Sequence, residues 1–411
     1  MRPTDRPTGN TEKGHPPLPV RRLILGAICV AAALLAVLGW SWIDAQARAM
    51  VVLSSVLKTP VLTSAVGGVT GEPRFEEASV AGNPALIVKP DGEGPWPALF
   101  FVNGAVPQGR ELPEVRRVAE GLARAGYLVV VPDLPDLTED RITPETASET
   151  LEVARAVSGR PDALGGKVGL VGVSTGATLA LLAAEKESLG GRVSVVAGVA
   201  PYTDIKTVLD VATTGHYRKG GKTVRYEADP FLSYVSARSL ISALPPGDDR
   251  ETLLSELDEV NRLDPEPLAD IRDRRLGDLG GGARSVVKLL ANEDPGRFDG
   301  LYAGLPTGVR ADLRELSPLA GDERLDAPVE LASSPRDRYF PVSESFAVSR
   351  IAPDHRVTVT VALDHAELSF ALRDLPGFLR VDGFVVRSLR EARLGPASEP
   401  VDQGLSEPPQ G

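Results

Sequence analysis

The stretch KVGLVGVSTGATLALLAAE, Lys167 to Glu185, sets a serine between two glycines where one residue pattern gives way to another. Lys167 to Val173 is a run of Val, Leu and Gly that predicts a buried strand, and Thr175 to Glu187 is an Ala- and Leu-rich run that predicts a helix. A hydroxyl at that junction stands exposed at the strand's end. A sharp turn there leaves no room for side chains two positions away, so Gly172 and Gly176 are the residues that permit it. The first amides of the helix have no intrahelical acceptor and face the same spot, where the helix dipole favours an anion. These features meet the needs of a serine nucleophile, which attacks carbonyl carbon poorly unless it is exposed, aligned with a base and faced by donors for the oxygen that becomes negative. A bare G-x-S-x-G pattern is weak evidence, and the strand before and helix after make this instance specific.

Outward from Ser174 the alternation continues on both sides. PRFEEASVAGNPALIVKPDG, Pro73 to Gly92, alternates about Gly82-Asn83 and predicts a hairpin. WPALFFVNGA (96–105) predicts a strand running into a glycine-containing loop, followed by a helix over Leu112–Ala125 and the strand Tyr127–Asp133. A helix over Pro144–Val157 then leads to the serine strand, and RVSVVAGVA (192–200) follows its helix. APVELASSPRD (327–337), a helix over Val342–Arg350, the strand HRVTVTVALDH (355–365) and closing helices over Glu367–Ala392 complete the rhythm. Continuous Val and Leu runs separated by helices predict a mostly parallel twisted sheet covered on both faces, an α/β class.

Between Tyr202 and Ala327 the rhythm stops. Amphipathic patterns at Phe231–Leu244, Glu251–Arg262, Ala283–Ala291 and Gly308–Leu316 predict a helical cap inserted into the core. Its aromatics Tyr217, Tyr226, Phe231, Tyr234, Phe298 and Tyr302 fit either the lining of an acyl pocket or, as is commoner, a small core of their own. GKT at Gly221–Thr223 is no phosphate loop, because His216 stands where that motif needs glycine; it reads as a hairpin turn.

With 411 residues the chain has room for one large domain or two ordinary ones. A net charge of −11 argues against a nucleic-acid surface. Its one cysteine, Cys29, lies in an apolar run near the N-terminus, so the body of the protein has no disulfide, cysteine zinc cluster or thiol nucleophile. No metal or cofactor is expected.

That apolar run, Leu23 to Ile43, carries no charge, and about 21 residues at ~1.5 Å each span the hydrocarbon core. Arg2, Arg6, Lys13, Arg21 and Arg22 precede it, which predicts a transmembrane helix with a cytoplasmic N-terminus. Trp40 and Trp42 fall at its far end, where indole rings favour the interface. The competing reading is a signal peptide cleaved near DAQARA, Asp44–Ala49, which gives a secreted protein. The expected organisation is a disordered tail (1–22), a membrane helix (23–43), a juxtamembrane linker (44–71), a core in two parts (72–201 and 328–393) around the cap (202–327), and a polar tail (394–411).

From Arg74 to Arg393, apart from the insertion, the chain resembles an α/β-hydrolase of the esterase, lipase and dienelactone-hydrolase-like group. The resemblance implies that a nucleophile follows the fifth strand, an acid the sixth or seventh, and a histidine the last. Of the four histidines, His15 precedes the apolar run, His216 lies in the insertion and His355 precedes the last strand, which leaves His365 in ALDHAELSF as the base. Asp337 in SSPRDRYFP is the expected acid, with Asp204 the alternative after the sixth strand; Asp364, adjacent to the histidine, points elsewhere. The resemblance also implies an oxyanion hole from the N–H of Thr175 and one from the loop after the third strand, Ala105 by position or else Val106. Asn103-Gly104 stands there where relatives have His-Gly.

The function expected is hydrolysis of a small or lipid-like carboxylic ester by a membrane-bound Ser-His-Asp enzyme through an acyl-serine. Acyl transfer through the same intermediate, and a catalytically silent binding or scaffold module of the same fold, are the competing readings.

Overall fold

Short runs of Val, Ile, Leu and Phe between turn signals form an eight-stranded sheet. Its strands are β1 (Arg74–Val80), β2 (Asn83–Lys89), β3 (Trp96–Val102), β4 (Leu128–Pro132), β5 (Ala163–Val173), β6 (Val193–Val199), β9 (Val329–Ser333) and β10 (His355–Val359). Two small antiparallel hairpins, β7 (His216–Lys219) with β8 (Lys222–Arg225) and β11 (Leu363–Asp364) with β12 (Glu367–Leu368), lie outside it. The computed structural model describes residues 39–57, 70–321, 323–368 and 374–394.

The sheet order is β1-β2-β4-β3-β5-β6-β9-β10. β2 runs antiparallel to β1 and β4, and every pairing from β4 to β10 is parallel. This is the α/β-hydrolase fold, with β5 central and the serine at its carboxyl end. Alternate side chains divide the core between two faces. Ile87, Phe100, Val130 and Leu170 face the helices Pro144–Ser158 and Thr175–Ala184, and their cluster runs without a break into the insertion through Leu240, Ile241 and Val286. Leu86, Leu99, Val129 and Val195 face the helices Pro113–Arg124 and Leu375–Leu394.

The chain divides into two compact units at Asp44/Ala45. In the first, residues 39–44 are helical, with Trp40 and Ile43 exposed. The expected membrane span, Leu23–Ile43, otherwise lies outside the described residues, and among those no helix is long and apolar enough to cross a membrane. The expected tails also lie outside them, except for Leu394. In the second unit, residues 45–56 form a helix whose Ala45, Ala49, Val52 and Leu53 are buried in the sheet's outer layer. These residues, within the stretch expected to be a linker, are part of the folded body.

The insertion holds the helices Ile205–Thr214, Pro230–Ser242, Asp248–Glu259, Gly281–Leu290, Phe298–Ala303 and Thr307–Glu315 among shorter turns. The Gly220-Gly221 turn joins β7 to β8, as the reading of GKT anticipated. The C-terminal region departs from expectation. β10 ends at Val359, six residues before His365, and Glu367 belongs to β12 instead of opening a helix. The closing helix is Leu375–Leu394.

Candidate active site

Ser174 occupies the turn between β5 and the helix Thr175–Ala184 with φ 56° and ψ −127°. A side chain at positive φ is strained by roughly 1–3 kcal/mol and persists only where its surroundings hold it. Here its N–H donates to Val199 O at 2.7 Å and its carbonyl accepts from Ala177 N at 3.0 Å. The two glycines are fixed by close approach. A Cβ on Gly172 would overlap Gly176 O and the Ala177 backbone, and one on Gly176 would overlap the Val102 and Asn103 carbonyls.

His365 lies at the tip of the β11-β12 hairpin with φ 50°. Its Nδ1 is 2.8 Å from Asp337 Oδ2, and its side chain is 15% exposed. The ring packs against Tyr339, with centroids 4.2 Å apart, and against the edge of Phe340 at 5.9 Å. Burial pushes the Tyr339 phenol up to about 12, so it stays neutral beside the imidazole.

Asp337 is buried in the loop after β9. Its Oδ1 accepts the amides of Tyr339 at 2.7 Å and Phe340 at 3.0 Å, which leaves Oδ2 for the imidazole. With the carboxylate as acceptor, Nδ1 is the protonated nitrogen and Nε2 carries the free lone pair of the neutral ring. Asp204, the alternative acid, instead caps the helix Ile205–Thr214 by accepting from Lys206 N at 2.9 Å. Asp364 pairs with Glu367 in the small hairpin.

A cavity of about 210 Å³ is lined by Ser174, Thr175, Ala105 and His365 together with Phe231 and Leu232 of the insertion. In the loop after β3, Val106 N is taken by Leu137 O at 2.9 Å and Gly104 N by Asn103 Oδ1 at 2.9 Å. That leaves Ala105 as the loop amide able to face an oxyanion. Thr175, as first residue of its helix, has no intrahelical acceptor. Asn103 also donates from Nδ2 to Gly109 O at 3.1 Å, so this one side chain braces the loop on both sides. The sequence reading missed that role, and its signal was the departure from His-Gly.

The insertion also supports the loop that carries Asp337. Tyr226 Oη donates to the Asp337 carbonyl, and Asp229 N donates to Arg338 O at 2.7 Å. Of the insertion's aromatics, Phe231 lines the cavity, while Tyr217, Tyr234 and Phe298 are buried among their neighbours. His216 and His355 turn Nδ1 to backbone carbonyls, Thr214 O and Ala352 O. Among the described residues no three His, Cys, Asp or Glu side chains come together as a metal would require.

No family model matches the chain, and no curated protein does. Similar solved structures include a mutant of the rice cell wall degrading esterase LipA from Xanthomonas oryzae, with 18% identity, coverage of 76% of this chain and 87% of that one, and a TM-score of 0.44. A thermostable carboxylesterase from a metagenomic library has 13% identity, coverage of 85% and 95%, and a TM-score of 0.42. A 2,6-dihydroxy-pseudo-oxynicotine hydrolase has 16% identity, coverage of 79% and 70%, and a TM-score of 0.43. At such identities and scores they bear on neither substrate nor site.

Proposed function

We propose that the protein is a serine hydrolase of carboxylic esters, held at a membrane by the Leu23–Ile43 segment with its catalytic body on the far side from the N-terminus. Ser174 Oγ attacks the ester carbonyl carbon while its proton passes to His365 Nε2. The carbonyl oxygen takes the negative charge and is met by the amides of Thr175 and Ala105. As the C–O bond to the alcohol breaks, the imidazolium returns the proton to the leaving oxygen. Water, deprotonated by the same nitrogen, then cleaves the acyl-serine and releases the acid.

One observation carries the reading: His365 Nδ1 lies 2.8 Å from a buried Asp337 carboxylate, and the imidazole opens on the same cavity as Ser174. The carboxylate fixes the tautomer and stabilises the imidazolium. Base catalysis of this kind contributes ~10²–10⁴ in rate. The membrane assignment rests on the uncharged apolar segment and the basic residues before it.

A fluorophosphonate probe should label the folded chain at Ser174, and Ser174→Ala should abolish both labelling and turnover of p-nitrophenyl acetate. Absence of labelling in folded protein would favour a binding module instead.

A further inference from the structure

The sheet's other face holds a second cavity, of about 170 Å³, which the mechanism above does not use. The central strands β3, β5 and β6 wall it on one side, and the helix Leu375–Leu394 on the other. Val52, Leu53 and Val56, from the helix over 45–56, close a third side. Among the described lining residues Ser388 supplies the one polar side chain, and that hydroxyl is already bonded to Phe384 O. Val171, Val173 and Val199 lie in strands at the centre of the sheet, yet each keeps partial exposure. Central strands of a parallel sheet are ordinarily covered on both faces, and among the described residues this apolar surface is only partly covered.

Among the described residues, two line both cavities, Val173 and Ala366. Val173 immediately precedes the serine, and Ala366 immediately follows the histidine. The hairpin that carries the imidazole on the catalytic side contributes Leu363 and Leu368 to the apolar side. The partition between the cavities is therefore aliphatic and lies directly beside the reacting atoms.

We propose that this cavity receives the acyl chain of the substrate, which passes from the Ser174 ester between Val173 and Ala366. The inference rests on the ester-hydrolase reading and narrows it to esters of medium-chain fatty acids. Apolar cavities of about 150 Å³ stay dry and take a benzene-sized guest, so this one has room for about six carbons. With the carbonyl carbon and the stretch past the partition, the fitting chain is about eight carbons long. A charged or hydroxylated chain finds no partner there and is disfavoured.

The test uses the full chain in detergent, p-nitrophenyl acetate and octanoate as substrates, and calorimetric titration of Ser174→Ala with sodium octanoate. Val385→Phe and Val56→Phe fill the cavity from two different helices, and thermal melting shows that each variant folds. The expected result is that each lowers the octanoate-to-acetate ratio of kcat/KM at least tenfold. In the Ser174→Ala background, each should also weaken octanoate binding at least tenfold. Octanoate binding that is undetectable at millimolar concentration, or unchanged by both fillings, overturns the proposal whatever the esterase result. Octanoate binding that responds to the fillings, in a parent chain that hydrolyses neither ester, removes the hydrolase reading and leaves the cavity as an acyl-binding site.

Discussion

At Asp337 the two carboxylate oxygens have separate duties, one held by the amides of Tyr339 and Phe340 and the other by His365. Asp337→Asn preserves the shape, but its amide nitrogen either displaces a backbone donor or faces Nδ1 as a donor itself, which selects the wrong tautomer. We expect kcat for p-nitrophenyl acetate to fall by ~10³–10⁴ with little change in KM, read from steady-state kinetics. An unchanged kcat would remove Asp337 from the mechanism. Ser174 and its glycines were legible in the sequence because their pattern states a steric requirement. The tasks of Asn103 and Tyr226 were not, because they act through individual hydrogen bonds to backbone groups, two for Asn103 and one for Tyr226, and no residue period encodes such bonds.

At the scale of elements, the parallel strands were readable because residues buried on both faces form continuous apolar runs. The hairpin at His365 was not. ALDHAELSF is rich in good helix formers, whereas the positive φ at His365 breaks helix and strand alike and leaves two-residue strands that local propensity cannot resolve. The helix Thr175–Ala184 also ends on a liability. Glu185, its C-cap, is buried with Oε1 unpaired, and burial, aided by Glu323, pushes its carboxyl up to about 8. A carboxylate also meets the negative end of the helix dipole there. The folded state therefore favours the protonated form. The associated stability is complete below the ordinary carboxyl pKa and is lost as pH rises through about 8. Glu185→Gln should abolish that loss, with Tm curves of variant and parent diverging between pH 5 and pH 9 by an amount worth a few kcal/mol, roughly. Parallel curves across that range would show that Glu185 does not titrate there.

At the scale of the whole molecule, the sequence indicated the order of core and insertion, but not that the insertion's apolar residues continue the cluster on one sheet face. Amphipathic periods identify a helix's apolar side without naming the surface it meets. The uncharged stretch Leu23–Ile43 makes its own prediction. Full-length protein should stay in the membrane pellet through an alkaline carbonate wash and be released by detergent; release by carbonate alone would count against an integral anchor.

The bond from Tyr226 to the Asp337 carbonyl, together with that from Asp229 N to Arg338 O, makes the insertion a splint for the loop that carries Asp337. A chimera that trades residues 202–327 for another protein's segment would lose the phenol and the amide that keep the carboxylate on station. Grafting for new selectivity therefore has to carry those two anchor points along, or redesign the loop after β9 to stand without them.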